Sequence, residues 1–241
     1  MSDRHRSGFR SRSWIRAAIV PVALLVLGVL VWQGSTAAFT ATTDNTGNTW
    51  AAGALTLTND GDTGTFQGTT AAVFSTAGTS LNGVPQKTNV LVPGATGAKC
   101  IAVKATGNFA SAVRFNVANV VTGTPNISNV LTLNVKYGAS AATGDAAAHT
   151  ACDNWIAAAV PASAPAGATA TTPGTVSTVV PDTHLNAVTT TPVATTWTTA
   201  GNAAGEYGLF LIQWTLDAGT GNTIQGGTTG ADFVWTQTAG S

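Results

Sequence analysis

Apolar and polar residues alternate with a period of two in several segments beyond residue 54. In one of them Val113, Phe115 and Val117 fall on a single face. Successive side chains of a strand point to opposite faces of a sheet, so this alternation predicts half-buried β-strands. The predicted strands are 55–58, 100–104, 111–121, 130–137 and 233–237.

The segment 207–216 (YGLFLIQWTL) is the most apolar after residue 37 and predicts a central strand. Turn-forming residues such as Pro93-Gly94 and Thr106-Gly107-Asn108 separate the strands at short spacing. This spacing is typical of antiparallel hairpins in a sandwich or barrel. We find no helical period over ten or more residues in this part of the chain, and therefore predict an all-β domain.

Residues 139–205 break the alternation. They include the Ala/Thr/Pro-rich run AVPASAPAGATATTPGTVSTVVP. Such a composition provides little apolar area to order a long stretch. We predict a surface insertion that is tethered by Cys152 and by Trp155 and Trp197.

The N-terminus has the pattern of a secretory signal. Residues 1–16 contain five arginines, 17–32 form an uncharged apolar run, and Ser35-Thr36-Ala37 supplies the small residues that a signal peptidase reads. We predict a signal helix in residues 1–37, cleavage between Ala37 and Ala38, and a secreted domain over 38–241. The alternative is an uncleaved membrane anchor, the only membrane contact that we expect.

Cleavage would change the charge of the protein. The whole chain has ten basic and ten acidic residues, and residues 38–241 keep five basic and nine acidic ones. Nucleic-acid surfaces need clustered Lys and Arg, so this composition argues against a nucleic-acid partner.

The chain has two cysteines, Cys100 and Cys152. An even number in an exported protein favours a disulfide, and two buried free thiols are the alternative.

Several motifs together resemble the TasA/camelysin family. They are Thr36-Ala37-Ala38-Phe39 at the signal exit, Trp50-Ala51-Ala52-Gly53-Ala54-Leu55-Thr56-Leu57, Val92-Pro93-Gly94, 101–109, Gln225-Gly226 and Phe233-Val234-Trp235-Thr236. Within 101–109, Ala105-Thr106-Gly107 stands where that family has an Asn-containing turn, and the insertion has no counterpart.

The resemblance implies a jelly-roll-like antiparallel β-sandwich, a dedicated signal peptidase, and a place in the extracellular matrix or on the cell surface. Members of the TasA branch form biofilm fibres by donor-strand exchange, in which an N-terminal segment completes the sheet of a neighbour. The camelysin branch has been described as a surface metallopeptidase.

The peptidase hypothesis has little support in the residues. A catalytic zinc commonly uses a His-Glu-x-x-His helix. Beyond residue 37 the chain has only His149, His184 and a single glutamate, Glu206. We predict no catalytic residues, no metal and no cofactor.

Two further sites have competing interpretations. Asn59-Asp60-Gly61-Asp62 could supply calcium ligands through Asp60 and Asp62, or could be a plain β-turn. Trp155 and Trp197 could stack on a glycan or contact a host protein, or could clamp the insertion onto the sandwich. We expect Trp214 and Trp235 to lie in the core.

The segment that follows the predicted cleavage site carries the assembly hypothesis. Residues 38–49 are uncharged except for one aspartate. We predict an assembly strand that includes Ala38, Phe39 and Ala41, with Trp50 behind it, and that adds to the sheet of a second copy. An edge strand of its own sheet, or a frayed terminus, is the alternative. We therefore expect a structural fibre protein that also contacts other matrix or cell-wall components.

Overall fold

The computed structural model describes residues 40–43, 55–68 and 93–240. The chain divides into two units, Met1–Ala38 and Phe39–Ser241, and every described residue belongs to the second. The predicted signal helix, its cleavage site at Ala37 and Ala38, and the assembly residues Phe39 and Trp50 lie outside the described residues. Within the described part, no helix has the length and apolar character needed to cross a membrane.

Nine strands and one α-helix make up the described part of the domain, together with short 3-10 turns. The elements are β1 Thr40–Thr43, β2 Thr56–Asn59, β3 Thr96–Thr106, β4 Ser111–Thr122, β5 Leu131–Ala139, α1 Asp145–Ala159, β6 Val176–His184, β7 Val193–Thr199, β8 Glu206–Leu216 and β9 Thr229–Ala239.

The strands form two antiparallel sheets that pack as a sandwich. One sheet has the order β1-β9-β4-β7, and the other has the order β2-β3-β8-β5-β6. The pairs β1–β9, β3–β8, β4–β7 and β5–β6 are nested within one another along the chain. This nesting is the wrapping pattern of a jelly roll, with β2 as an additional edge strand. The predicted jelly-roll-like sandwich is confirmed.

One expectation about the strand order is wrong. The turn at residues 106–108 was expected to close a hairpin between the strands on either side of it. Instead β3 and β4 belong to different sheets, so this turn carries the chain across the end of the sandwich. A turn motif predicts a change of chain direction, but it does not predict which sheet the next strand joins.

Aromatic rings fill the space between the sheets. Phe210 is fully buried, and its ring centroid lies 5.5 Å from the centroids of Tyr137 and Trp235. Trp197 and Phe115 complete this cluster around it. The predicted core positions Trp214 and Trp235 are confirmed, and so is the inward face of Val113, Phe115 and Val117.

The prediction for residues 139–205 is wrong in one respect. They were expected to form a tethered surface insertion without a helical period, but they contain α1, β6 and β7. The helix buries Ala148, Cys152, Trp155 and Ile156. These residues are separated by four, three and one positions, which places them on one face of a helix. The exposed positions of the helix are three alanines and one threonine, where charged residues usually mark the solvent-facing side, and this hides the period.

The helix covers the outer face of the second sheet. Leu209 and Leu211 of β8 pack under α1, whereas Phe210 and Ile212 point into the sandwich. Both faces of β8 are therefore buried, which explains the continuous apolar run that predicted a central strand.

A disulfide joins Cys100 of β3 to Cys152 of α1, and both residues are almost fully buried. This bond holds the helix against the sheet. The predicted disulfide is confirmed.

Candidate functional site

The N-terminal strand β1 lies at the edge of its own sheet. Among the described strands it pairs only with β9, and its register places Ala41 opposite Gln237 and Thr43 opposite Trp235. This is the arrangement that the edge-strand alternative expected. Of the residues predicted for the assembly strand, the structure describes only Ala41.

The side of β9 that faces β1 is paired over a shorter length than its other side. The described residues of β1 pair with residues 235–238 of β9, whereas β4 pairs with β9 from Thr229 to Ala239. Within the described residues, β9 is therefore held mainly by β4. The main-chain bonds of an edge strand such as β1 can be remade by a strand of a second chain.

The opposite side of the sandwich is protected against strand addition. β6 contains Pro181, which has no N–H to donate, and its pairing with β5 has two shifts of register. The edge strand β7 also has a register shift against β4. Ser177 of β6 and Thr196 of β7 lie 2.9 Å apart through their hydroxyl oxygens and link the two sheets there. Bulges and prolines of this kind prevent edge-to-edge pairing.

The turn at residues 59–62 extends the edge of β3. The backbone N–H of Asp60 donates to the Ala102 carbonyl, and Asp60 Oδ1 accepts from the Ala102 N–H at 3.1 Å. The Asp60 carboxylate therefore takes the place of a backbone carbonyl and continues the ladder where β2 ends. The same oxygen accepts from the Asp62 N–H, and Asn59 Oδ1 accepts from the Gly61 N–H. These are the local bonds of the β-turn interpretation.

The carboxylates that were considered for calcium already have protein partners. The second oxygen of Asp60 lies 2.8 Å from His149 Nδ1 on α1, and Asp62 forms an ion pair with Lys99 on β3. Burial raises the pKa of Asp60, although the hydrogen bond from His149 opposes this. Among the described residues, no group of three or more His, Cys, Asp or Glu side chains is arranged to hold a metal ion.

The three residues considered for a peptidase site have separate partners. His149 lies between Asp60 and Asp153, and His184 Nε2 lies 3.2 Å from Asp217 Oδ2 at the surface. Glu206 Oε1 accepts from the backbone N–H groups of residues 200 and 201 and so orders a loop. Each of these contacts is explained by a local structural role.

The hypothesis of an exposed tryptophan pair is wrong. Trp155 is 2 % exposed and Trp197 is 4 % exposed, so neither ring is free to stack on a sugar. They clamp the insertion instead. A Cβ atom at Gly138 would lie 2.9 Å from Trp155, and one at Gly208 would lie 2.6 Å from Trp197, so both rings rest directly on strand backbones.

No family model matches this chain, and no curated protein has a significantly similar sequence. The geometry of the sheet edges and of the polar cluster around Asp60 is therefore the main guide to function.

The polar cluster around Asp60 was only partly visible in the sequence. The turn motif marked Asp60 and Asp62, but the partners His149 and Asp153 lie on a helix that was not predicted. The spacing of four residues between these two partners is the signal that could have indicated a shared helical face.

Substitution of Asp60 tests its role as a backbone substitute. Asp60→Ala leaves the buried N–H of Ala102 without its acceptor, so we expect a loss of about 2 kcal/mol in the free energy of unfolding. Asp60→Asn keeps an oxygen at this position and should cost less than half as much. Urea unfolding of both variants measures the difference, and equal losses would contradict this role.

Proposed function

We propose that this protein is a secreted structural component of the cell surface or biofilm matrix, similar to TasA, and that it assembles into fibres through its N-terminal strand. In each contact, β1 of one subunit replaces β1 of the next subunit along the edge of β9. The observation that carries this proposal is the position of β1, an edge strand that pairs only with β9 among the described strands.

Exchange of β1 preserves the bonds that it makes within one chain. The incoming strand of a second copy has the same sequence and forms the same antiparallel register against residues 235–238. The enthalpy of β1–β9 pairing is therefore nearly the same within one chain and between two chains, and protein concentration decides which pairing forms. Main-chain bonds supply the affinity of such an added strand.

The difference between the two sides of the sandwich gives the assembly its direction. Pro181 and the register shifts of β6 and β7 block addition on one side, so contacts form only at the side of β1. One donor strand and one acceptor edge per subunit produce a linear, head-to-tail chain. The low charge of residues 38–241 reduces repulsion between subunits along that chain.

In this proposal the backbone edge performs the function, and no chemistry by side chains is required. The partner is a second copy of the chain, and other matrix or cell-wall components contact the exposed faces of the fibre. The protein is not an enzyme and uses no cofactor.

Removal of the donor strand tests the proposal. A variant that lacks residues 38–49 keeps the acceptor edge and the sandwich core, so we expect a folded monomer that forms no filaments. Electron microscopy measures filaments, and circular dichroism confirms the fold. If the intact purified protein forms no filaments at any concentration or pH, the proposal fails in favour of a monomeric surface-binding module.

A cross-link distinguishes exchange from internal pairing. Ala41→Cys combined with Gln237→Cys places two thiols at facing positions of β1 and β9. In exchanged fibres, oxidation should produce a ladder of covalent multimers on a non-reducing gel.

The matched control joins β4 and β9, which stay together in every state. Arg114→Cys with Thr236→Cys occupies facing positions of these two strands and should cross-link only within one chain. If the pair introduced at positions 41 and 237 also cross-links only within single chains, under conditions in which filaments are present, exchange of β1 is ruled out as the assembly contact.

A further inference from the structure

One ionisable cluster joins three separate elements of the domain. We call it the latch cluster: Asp60, Asp62, Lys99, His149 and Asp153. His149 stands at its centre, with Nδ1 2.8 Å from Asp60 Oδ2 and Nε2 3.7 Å from Asp153 Oδ2. Because the Asp60 side chain is fully buried and that of His149 is 27 % exposed, the Asp60–His149 contact is shielded from water on one side.

The latch cluster connects parts of the fold that are distant in sequence. Asp60 and Asp62 belong to the turn after β2, Lys99 belongs to β3, and His149 and Asp153 belong to α1. The Asp60–His149 contact joins the turn to the helix, and the Lys99–Asp62 ion pair joins the turn to β3. The latch cluster therefore fixes the turn between the helix and the sheet.

The charge of the latch cluster favours uptake of a proton. Lys99 balances Asp62, which leaves two carboxylates facing one imidazole. With the imidazole neutral, Asp60 and Asp153 carry two uncompensated negative charges in a partly buried space. One proton bound by either carboxyl group halves this charge.

The pKa values of two carboxyl groups of the latch cluster, Asp60 and Asp153, are shifted in the same direction. Burial raises the pKa of Asp60, and burial also raises the pKa of Asp153, with a further contribution from the charges of Asp62 and Asp60. His149 opposes both increases, and Lys99 opposes that of Asp153. The folded protein therefore binds protons at these carboxyl groups more tightly than the unfolded chain does.

We propose that the latch cluster is a proton-operated latch, which holds α1 against the turn of residues 59–62 in acidic surroundings and loosens as the pH rises. This inference concerns the internal stability of each subunit and does not depend on fibre assembly.

The sign follows from proton linkage. Where the folded state binds more protons than the unfolded state, the free energy of unfolding decreases with increasing pH. The pKa values of both carboxyl groups lie above the usual value of 3.8, so this stability is present at low pH and is lost as the pH rises through their folded-state values. At the other end of α1, Tyr207 and Lys104 lower the pKa of Asp145, whose contribution is lost only below its usual range.

Thermal unfolding as a function of pH tests the latch. We expect the Tm of the purified protein to fall by about 3 °C between about pH 4 and pH 7. Asp153→Asn should remove about half of this fall because it takes away one of the two carboxyl groups whose pKa is raised. His149→Gln removes the group that lowers both pKa values, so the fall should persist in this variant and extend to higher pH.

The chain contains its own matched control. Asp217→Asn removes a carboxyl group that also faces a histidine, but at 40 % exposure and outside the latch cluster. It should leave the pH dependence of Tm unchanged. Hydrogen exchange of the α1 amides adds a local measure, and the exchange should speed up several-fold at the higher pH in the unmodified protein, beyond the intrinsic effect of pH, but less in Asp153→Asn.

The latch is overturned if Tm is constant or rises over this pH range, or if Asp217→Asn removes the fall as effectively as Asp153→Asn does. An exchange rate in α1 that changes only by the intrinsic effect of pH would equally contradict it.

Discussion

Replacing Cys100 and Cys152 together by alanine is expected to lower the free energy of unfolding by about 4 kcal/mol. The disulfide closes a loop across a sequence separation of 52 residues, and the loss of this closure returns its entropy to the unfolded chain. For a domain of this size the Tm should fall by about 12 °C. Alanine is the replacement of choice because a serine hydroxyl would be buried without a partner at this site.

The disulfide also holds one element, the helix α1, in place. Because Cys152 lies on α1 and Cys100 lies on β3, its loss should release the helix before the sandwich opens. Hydrogen exchange would then show faster exchange in α1 than in β8 of the double variant. A Tm that changes by less than about 3 °C would show that packing of Trp155 and Ile156 alone holds the helix.

Phe210→Ala is expected to cause a loss of similar size, about 4 kcal/mol in the free energy of unfolding. Phe210 is fully buried, and its ring contacts aromatic rings of both sheets, among them Tyr137 and Trp235. Alanine leaves a cavity that rigid neighbouring rings cannot fill. Urea unfolding gives the magnitude.

The same substitution at another phenylalanine is the control. Phe109 is 47 % exposed, at the turn between β3 and β4, so Phe109→Ala removes far less buried area. Its cost should be less than half that of Phe210→Ala. Equal costs would mean that the aromatic cluster between the sheets does not dominate the stability of the sandwich.

These stability predictions bear on the proposed assembly. The aromatic cluster holds β9 in the sandwich through Trp235, and the proposed exchange of β1 requires that β9 stays in place. A subunit with a weak core would lose β9 along with β1, and the exchanged contact would have nothing to bind. We therefore expect Phe210→Ala to reduce filament yield even though residue 210 lies on β8, in the other sheet from β1.

The strands were predicted from the sequence because their period is local. Val113, Phe115 and Val117 reveal their shared face without knowledge of any partner, since one side of β4 must be buried. The β8 run was assigned correctly to the centre of a sheet because only a strand covered on both faces has so few polar residues. The disulfide followed from a count of two cysteines and an expected oxidising location.

The insertion was predicted wrongly because its polar residues carry little information about burial. Alanine is found on both faces of a helix and threonine is frequent in strands and loops alike, so α1, β6 and β7 showed no recognisable period. Trp155 and Trp197 were the residues that indicated order, but their burial depends on the backbones of Gly138 and Gly208, which lie elsewhere in the chain.

The sequence by itself determined that the chain forms β-strands, which face of each is apolar, and that two cysteines are available for one bond. The tertiary structure alone decided which sheet each strand joins, which edges are open or blocked, and that Asp60, His149 and Asp153 meet. The physical reason is that periodicity arises within one element, whereas edges and charge clusters arise between elements that are brought together only when the core packs.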